Sequence, residues 1–131
     1  MKKCLLILGI TLQAFNCFAL APPEKCPSVE SIIQKSKLIY SSITFDGMSS
    51  IDSHSSKFDT EQDWMIAIWV DNAKDTNDAA LKAKNALKSM TLVEGPLQIR
   101  PNAWSCSYDN DLNYIIRAVH SDGPWFSNSS K

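Results

Sequence analysis

Two histidines, His54 and His120, are the residues of this 131-residue chain best suited to ligate a metal ion or haem iron. A ligating imidazole needs apolar shelter and a second group that orients its other ring nitrogen. His54 stands in the run Ser53-His54-Ser55-Ser56, which reads as solvated, and His120 closes a strand-like segment. Both read first as surface histidines. The Ser-His-Ser run is not a catalytic pair, because neighbours on a strand point to opposite faces. No G-x-S-x-G elbow occurs either. Asp109, Asp111 and Asn113 begin like a calcium loop, but Tyr114 stands where Gly is required and His120 where a bidentate Glu is required. That segment reads as a hairpin turn. The chain therefore reads as a non-enzyme, with no catalytic residue, no metal cluster and no required cofactor.

The cysteines divide into two pairs, and the division depends on the N-terminus. Met1-Lys2-Lys3, an apolar run from Cys4 to Leu12 and the small residues of Cys17-Phe18-Ala19 have the order of a secretory signal. Cleavage is expected after Ala19, giving an exported protein, periplasmic or secreted. Lipidation at Cys17 is the alternative, against which Ala14-Phe15-Asn16 is too bulky for a good lipobox. The apolar run is too short to span a bilayer, which takes about 20 residues, and no later segment is apolar enough. Cleavage leaves Cys26 and Cys106, and in an oxidising compartment such a pair reads as a disulfide. Two free thiols, or a haem-regulatory Cys26-Pro27 dipeptide, are the rival readings.

The whole chain carries 13 basic and 14 acidic residues. Loss of Lys2 and Lys3 leaves 11 basic residues against 14 acidic ones, a net charge of −3. Arg100 and Arg117 are the only arginines, and no basic stripe exists. Nucleic-acid binding, which needs clustered positive charge, is not expected. The mature length suits one domain with one core, taken as 20–126, with a frayed serine-rich tail at 127–131.

The elements that must position these residues follow from periodicity. Cys26-Pro27-Ser28 opens a helix, with Ser28 as cap and Val29, Ile32, Ile33 and Ser36 on one face to about Lys37. Leu38 to Phe45 is strand-like, Asp46-Gly47 is a hairpin turn, and Met48 to Phe58 returns as a polar strand expected at an edge or open face. Trp64 to Val70 is apolar on both faces and belongs mid-sheet. Asp75 or Thr76 caps a helix to about Met90, with Ala79, Ala83, Ala86 and Leu87 on one face and Asp78 placed to pair with Lys82. Gly95-Pro96 breaks the chain. Trp104, Cys106 and Tyr108 alternate along one strand, and Leu112 to His120 forms another.

The expected fold class is α+β, an antiparallel sheet of about five strands with two helices on one face, in the order α-β-β-β-α-β-β. With both helices on one side, the other side would be bare around Met65 and Trp69, with Ile115 or Val119 beside them. Such a patch would suit a flat hydrophobic ligand or a protein partner, unless the Met48–Phe58 arm or Pro124-Trp125-Phe126 folds over it.

Several motifs occur together: a leader ending F-A-L-A-P, the opening C-P-S-V, K-F-D-T before a Trp-containing strand, K-D-T-N-D-A-A-L-K-A-K-N-A-L, G-P-L and W-S-C-S-Y. Together they resemble a family of small exported bacterial proteins of unknown function, some of which are labelled hemin-binding protein. The resemblance covers the mature chain, and its motifs look structural. It implies haem as a ligand, for which His120, His54 or Tyr114 would be the ligating residues and Trp69 and Met65 the lining. Three functions are then in play: a binder of hemin or another flat hydrophobic ligand, a protein–protein interaction module, and a small hydrolase, which no motif supports.

Overall fold

The computed structural model describes residues 20–43 and 47–122, with backbone alone at 40–43. The leader 1–19, Asp46 of the expected turn, Trp125 and the tail 127–131 lie outside the described residues.

Over the described residues the fold is α+β, with helices α1 (Val29–Lys35) and α2 (Thr76–Lys88) and six strands. The strands are β1 (Leu38–Ile43), β2 (Ser49–Ser53), β3 (Met65–Val70), β4 (Thr91–Arg100), β5 (Ala103–Asp109) and β6 (Ile115–Ser121). They form one antiparallel sheet in the order β1-β2-β3-β6-β5-β4. The sixth strand is β4, which contains the Gly95-Pro96 pair expected only to break the chain.

β3 lies inside the sheet, as its two apolar faces require. Trp64, Ile66, Ile68 and Val70 are all fully buried. Register places Ile68 opposite Ile51 and Ile116, and Ile66 opposite Ala118, so these residues share one face. Helix α2 packs on that face through Ala79, Ala83, Ala86 and Leu87. Alanines bring a helix axis close to a sheet, where each buried aliphatic side chain is worth roughly 1.5–3 kcal/mol. Asp75 caps α2 by accepting from the Asp78 N–H at 2.8 Å, and Asp78 pairs with Lys82 at 3.2 Å.

β2 corrects an expectation. This serine-rich strand is not at an edge but between β1 and β3, and all five of its residues are buried. Its polar atoms find partners inside the protein, which removes the penalty for burying them. Ser53 Oγ accepts the Ile66 N–H at 2.9 Å and donates to the His54 carbonyl at 3.0 Å. Ser50 Oγ donates to Asp52 Oδ1 at 3.3 Å. The strand also ends early, at Ser53, and rejoins β3 only through a bridge between Ser56 and Trp64.

α1 is seven residues long, too short to stand alone in water. Three ties hold its N-terminus. The Cys26–Cys106 disulfide joins it to β5. Tyr108 Oη donates to the Pro27 carbonyl at 2.6 Å, and the Ser28 N–H donates to Asp59 Oδ1 at 2.8 Å. Ser28 is the cap, its hydroxyl accepting from the Ser31 N–H at 3.2 Å.

Candidate functional site

The residues singled out for ligand chemistry fall in four places. His54 is exposed in the segment after β2. Tyr114 is half-buried in the turn between β5 and β6, beside Asn110, which organises that turn. Asn110 Oδ1 accepts from the Leu112 and Tyr114 N–H groups at 3.1 and 3.2 Å, and its Nδ2 donates to the Tyr114 carbonyl at 2.6 Å. Met65 and Trp69 are half-buried on the face of β3 turned away from the helices, with Ile115 exposed beside Trp69 and Val119 buried beside Met65. Among the described residues no cluster of three or more His, Cys, Asp or Glu could hold a metal ion.

His120 is the correction at this site. It is 7 % exposed, not a surface residue. Register sets it opposite Trp104, and Trp64 flanks it on the other side, so the three rings form one row across the helix-bearing face. The ring centroids of Trp104 and Trp64 lie 5.7 and 5.6 Å from that of His120. Nδ1 is 2.7 Å from the Asp63 carbonyl oxygen. A carbonyl only accepts, so Nδ1–H is the donor in this bond. Nε2 is buried and has no hydrogen-bond partner among the described residues. The orienting bond of a ligating histidine is thus present, while the ligating atom is closed to solvent. His120 lies on the opposite face from Met65 and Trp69, and apart from His54. These residues do not fit one haem pocket.

The K-F-D-T motif has a structural use that sequence reading did not assign. Phe58, at φ 53°, is buried in the core, and its carbonyl accepts from Lys35 Nζ at 2.9 Å. Thr60 Oγ1 accepts from Trp64 Nε1 at 2.9 Å. Burial pushes the Asp59 carboxyl up, but the Ser28 backbone and hydroxyl and the charge of Lys25 outweigh it and hold Asp59 below its ordinary value. Tyr108 is pushed above the ordinary tyrosine range by burial and then by the charge of Asp59, so its phenol stays a donor to Pro27.

The most open feature is β4. Every residue in it except Pro96 is exposed. Leu92, Val93, Leu97 and Ile99 are exposed by 40–59 %. Among the described residues no strand pairs with its outer side. The two-residue turn Pro101-Asn102, with Asn102 at φ 57°, returns the chain into β5. Register with β5 slips three times, between Leu92 and Glu94, between Glu94 and Leu97, and between Gln98 and Arg100. Bulges and proline are the usual devices that blunt a free edge against open-ended strand addition. What is left for a partner is apolar side chain: Leu92 shares the face of Tyr108, and Leu97 the face of Ser105.

No family model, curated protein or solved structure matches the chain. No described helix is long and apolar enough to cross a membrane. The disulfide is compatible with export.

Proposed function

We propose that this is an exported protein–protein interaction module that docks its partner along β4. The observation that carries the reading is the four large apolar side chains, Leu92, Val93, Leu97 and Ile99, exposed on one edge strand. Single exposed apolar residues are ordinary, but four along one edge strand, spread over both of its faces, favour a strand that a partner grips from both sides. The interrupted register favours a partner that grips side chains over one that extends the sheet indefinitely. The signal-like order of residues 1–19 and the Cys26–Cys106 disulfide support export.

The test is site-specific photo-crosslinking in the producing cells, with the probe at Val93 or Leu97 and, as control, at Ser55. A discrete adduct from the β4 positions, absent from the control and lost in Leu92→Ser/Ile99→Ser, is the expected result. Equal adducts from Ser55, or none from β4, would remove the reading.

Hemin binding is the second reading, favoured by one observation: the Nδ1–H of His120 is already anchored and Nε2 has no partner among the described residues. It requires the Trp64–Trp104 row to open. A hemin titration of the disulfide-bonded protein should then give a saturable one-to-one Soret shift that His120→Ala abolishes and His54→Ala leaves intact. A shift that never saturates would count against it.

A further inference from the structure

Between α1 and α2 lies a groove of about 240 Å³, lined by Ile33, Ser36, Leu38, Lys84, Leu87 and Lys88. Its apolar part comes from three elements: Ile33 of α1, Leu38 at the start of β1 and Leu87 of α2. Ile33 is 46 % exposed although it sits on the helix beside an apolar wall, so the groove is open to solvent. Ser36 in its wall has a buried hydroxyl with no hydrogen-bond partner among the described residues. The two charged residues that line it are both lysines, and no acidic residue lines it. Lys84 and Lys88 are four apart on α2 and so lie on one face, a turn from each other.

The bland account of these lysines is that they complement the negative C-terminal end of α2. It suffices for Lys88, which is in the last turn and donates to Asn85 Oδ1 at 3.2 Å. It does not reach Lys84, a full turn earlier, which forms none of the ion pairs or hydrogen bonds found among the described residues. In a chain whose acidic residues outnumber its basic ones, this groove is locally cationic.

We propose that the groove binds a small amphipathic anion: a short acyl chain laid on Ile33, Leu38 and Leu87, with one carboxylate or phosphate head held between Lys84 and Lys88. The volume falls below the roughly 300–1,000 Å³ of drug-sized sites, which suits a single chain and excludes a macrocycle. Charge complementarity sets the head and the apolar floor sets the tail. The site is separate from β4 and does not depend on the docking reading.

The experiment is a ¹⁵N–¹H NMR titration of the disulfide-bonded protein with decanoate, decyl phosphate, decanol and acetate, each kept below micelle formation. Expected are saturable one-to-one shifts centred on Ile33, Ser36, Leu38 and Leu87. The decanoate and decyl phosphate arms tell a carboxylate head from a phosphate head. Acetate and decanol should each bind at least tenfold more weakly than the better anion. The exposed pair Lys84→Gln/Lys88→Gln should weaken that anion roughly tenfold, the worth of two solvent-screened charge pairs, and Ile33→Ser should weaken decanol as well. Preserved spectral dispersion shows that the variants are folded. Shifts that scatter or never saturate, decanol bound as tightly as the anions, or undiminished binding in the lysine pair would each overturn the proposal.

Discussion

At the residue scale, long-range partners decide what each side chain does. Asp59 is exposed, yet it closes the N-terminus of α1 from 31 residues away. Its carboxyl is held below the ordinary value of about 3.9 in the folded chain. A depressed folded value means that the stabilisation is present above about pH 4 and is lost as pH falls through the folded value. Asp59→Asn should therefore lower the melting temperature at pH 7, with the gap to the parent closing as pH drops from about 4 toward 2. A gap independent of pH would show that the charge is not what matters. Gly95 is constrained differently. At φ +124° it sits where an added Cβ would lie 2.7 Å from the Ser105 carbonyl oxygen, 2.8 Å from Cys106 Cα and 3.1 Å from Cys26 Sγ. Two of those contacts are backbone and cannot swing aside. Gly95→Ala should cost roughly 2–4 kcal/mol in urea unfolding, combining backbone strain with overpacking. A cost under about 0.5 kcal/mol would mean that β4 yields freely at this point.

At the element scale, legibility in the sequence tracks how local the determinants are. β3 announces itself because both of its faces are apolar, and α2 because its alanines keep helical period behind an Asp75 cap. β4 is hidden because Gly95-Pro96 carries the signal of a break, and only an edge position with bulges accommodates it. β2 is misplaced by its composition, since nothing in a serine run says that Ser53 will receive the Ile66 N–H from the next strand. His120 is misjudged for a similar reason: its shelter comes from Trp64 and Trp104, which meet it only through the register of the sheet. The candidate docking strand is accordingly invisible in the sequence, while alternation along β3 is enough to put Met65 and Trp69 on the face away from the helices. The two kinds of element should respond oppositely to substitution. Val93→Lys on β4 should change stability by less than about 0.5 kcal/mol, as exposed positions do. Ala83→Leu, on the buried face of α2, should cost about 1–3 kcal/mol by forcing the helix off the sheet. If Val93→Lys costs more than Ala83→Leu, β4 owes its apolar residues to folding and not to a partner.

At the scale of the whole molecule, a covalent bond ties the segment before α1 to β5. Cys26 precedes α1 and Cys106 lies in β5, 80 residues apart, and both are buried. Everything from α1 to β5 is inside that loop, including the inner strand β3 and the helix α2 that covers it. A crosslink closing so long a loop removes unfolded-state entropy worth about 4.5 kcal/mol, against the roughly 5–15 kcal/mol that holds a domain of this size together. The single hydrogen bonds that also tie α1 are Tyr108 to Pro27, the Ser28 N–H to Asp59, and Lys35 Nζ to the Phe58 carbonyl. Each contributes about 1 kcal/mol, too little together to replace the bond. Cys26→Ala/Cys106→Ala should therefore unfold at a much lower urea concentration than the oxidised protein, by the equivalent of about 3–5 kcal/mol. The loss should be uneven in space. In hydrogen exchange, the amides of α1 should lose protection first, because the helix is too short to persist once detached. β3, paired on both sides and covered by α2, should open only with global unfolding. Coincident urea midpoints for the two proteins would mean that packing alone carries the fold. Equal loss of protection in α1 and β3 would mean that the bond stabilises the domain as one unit and does not pin a helix to it.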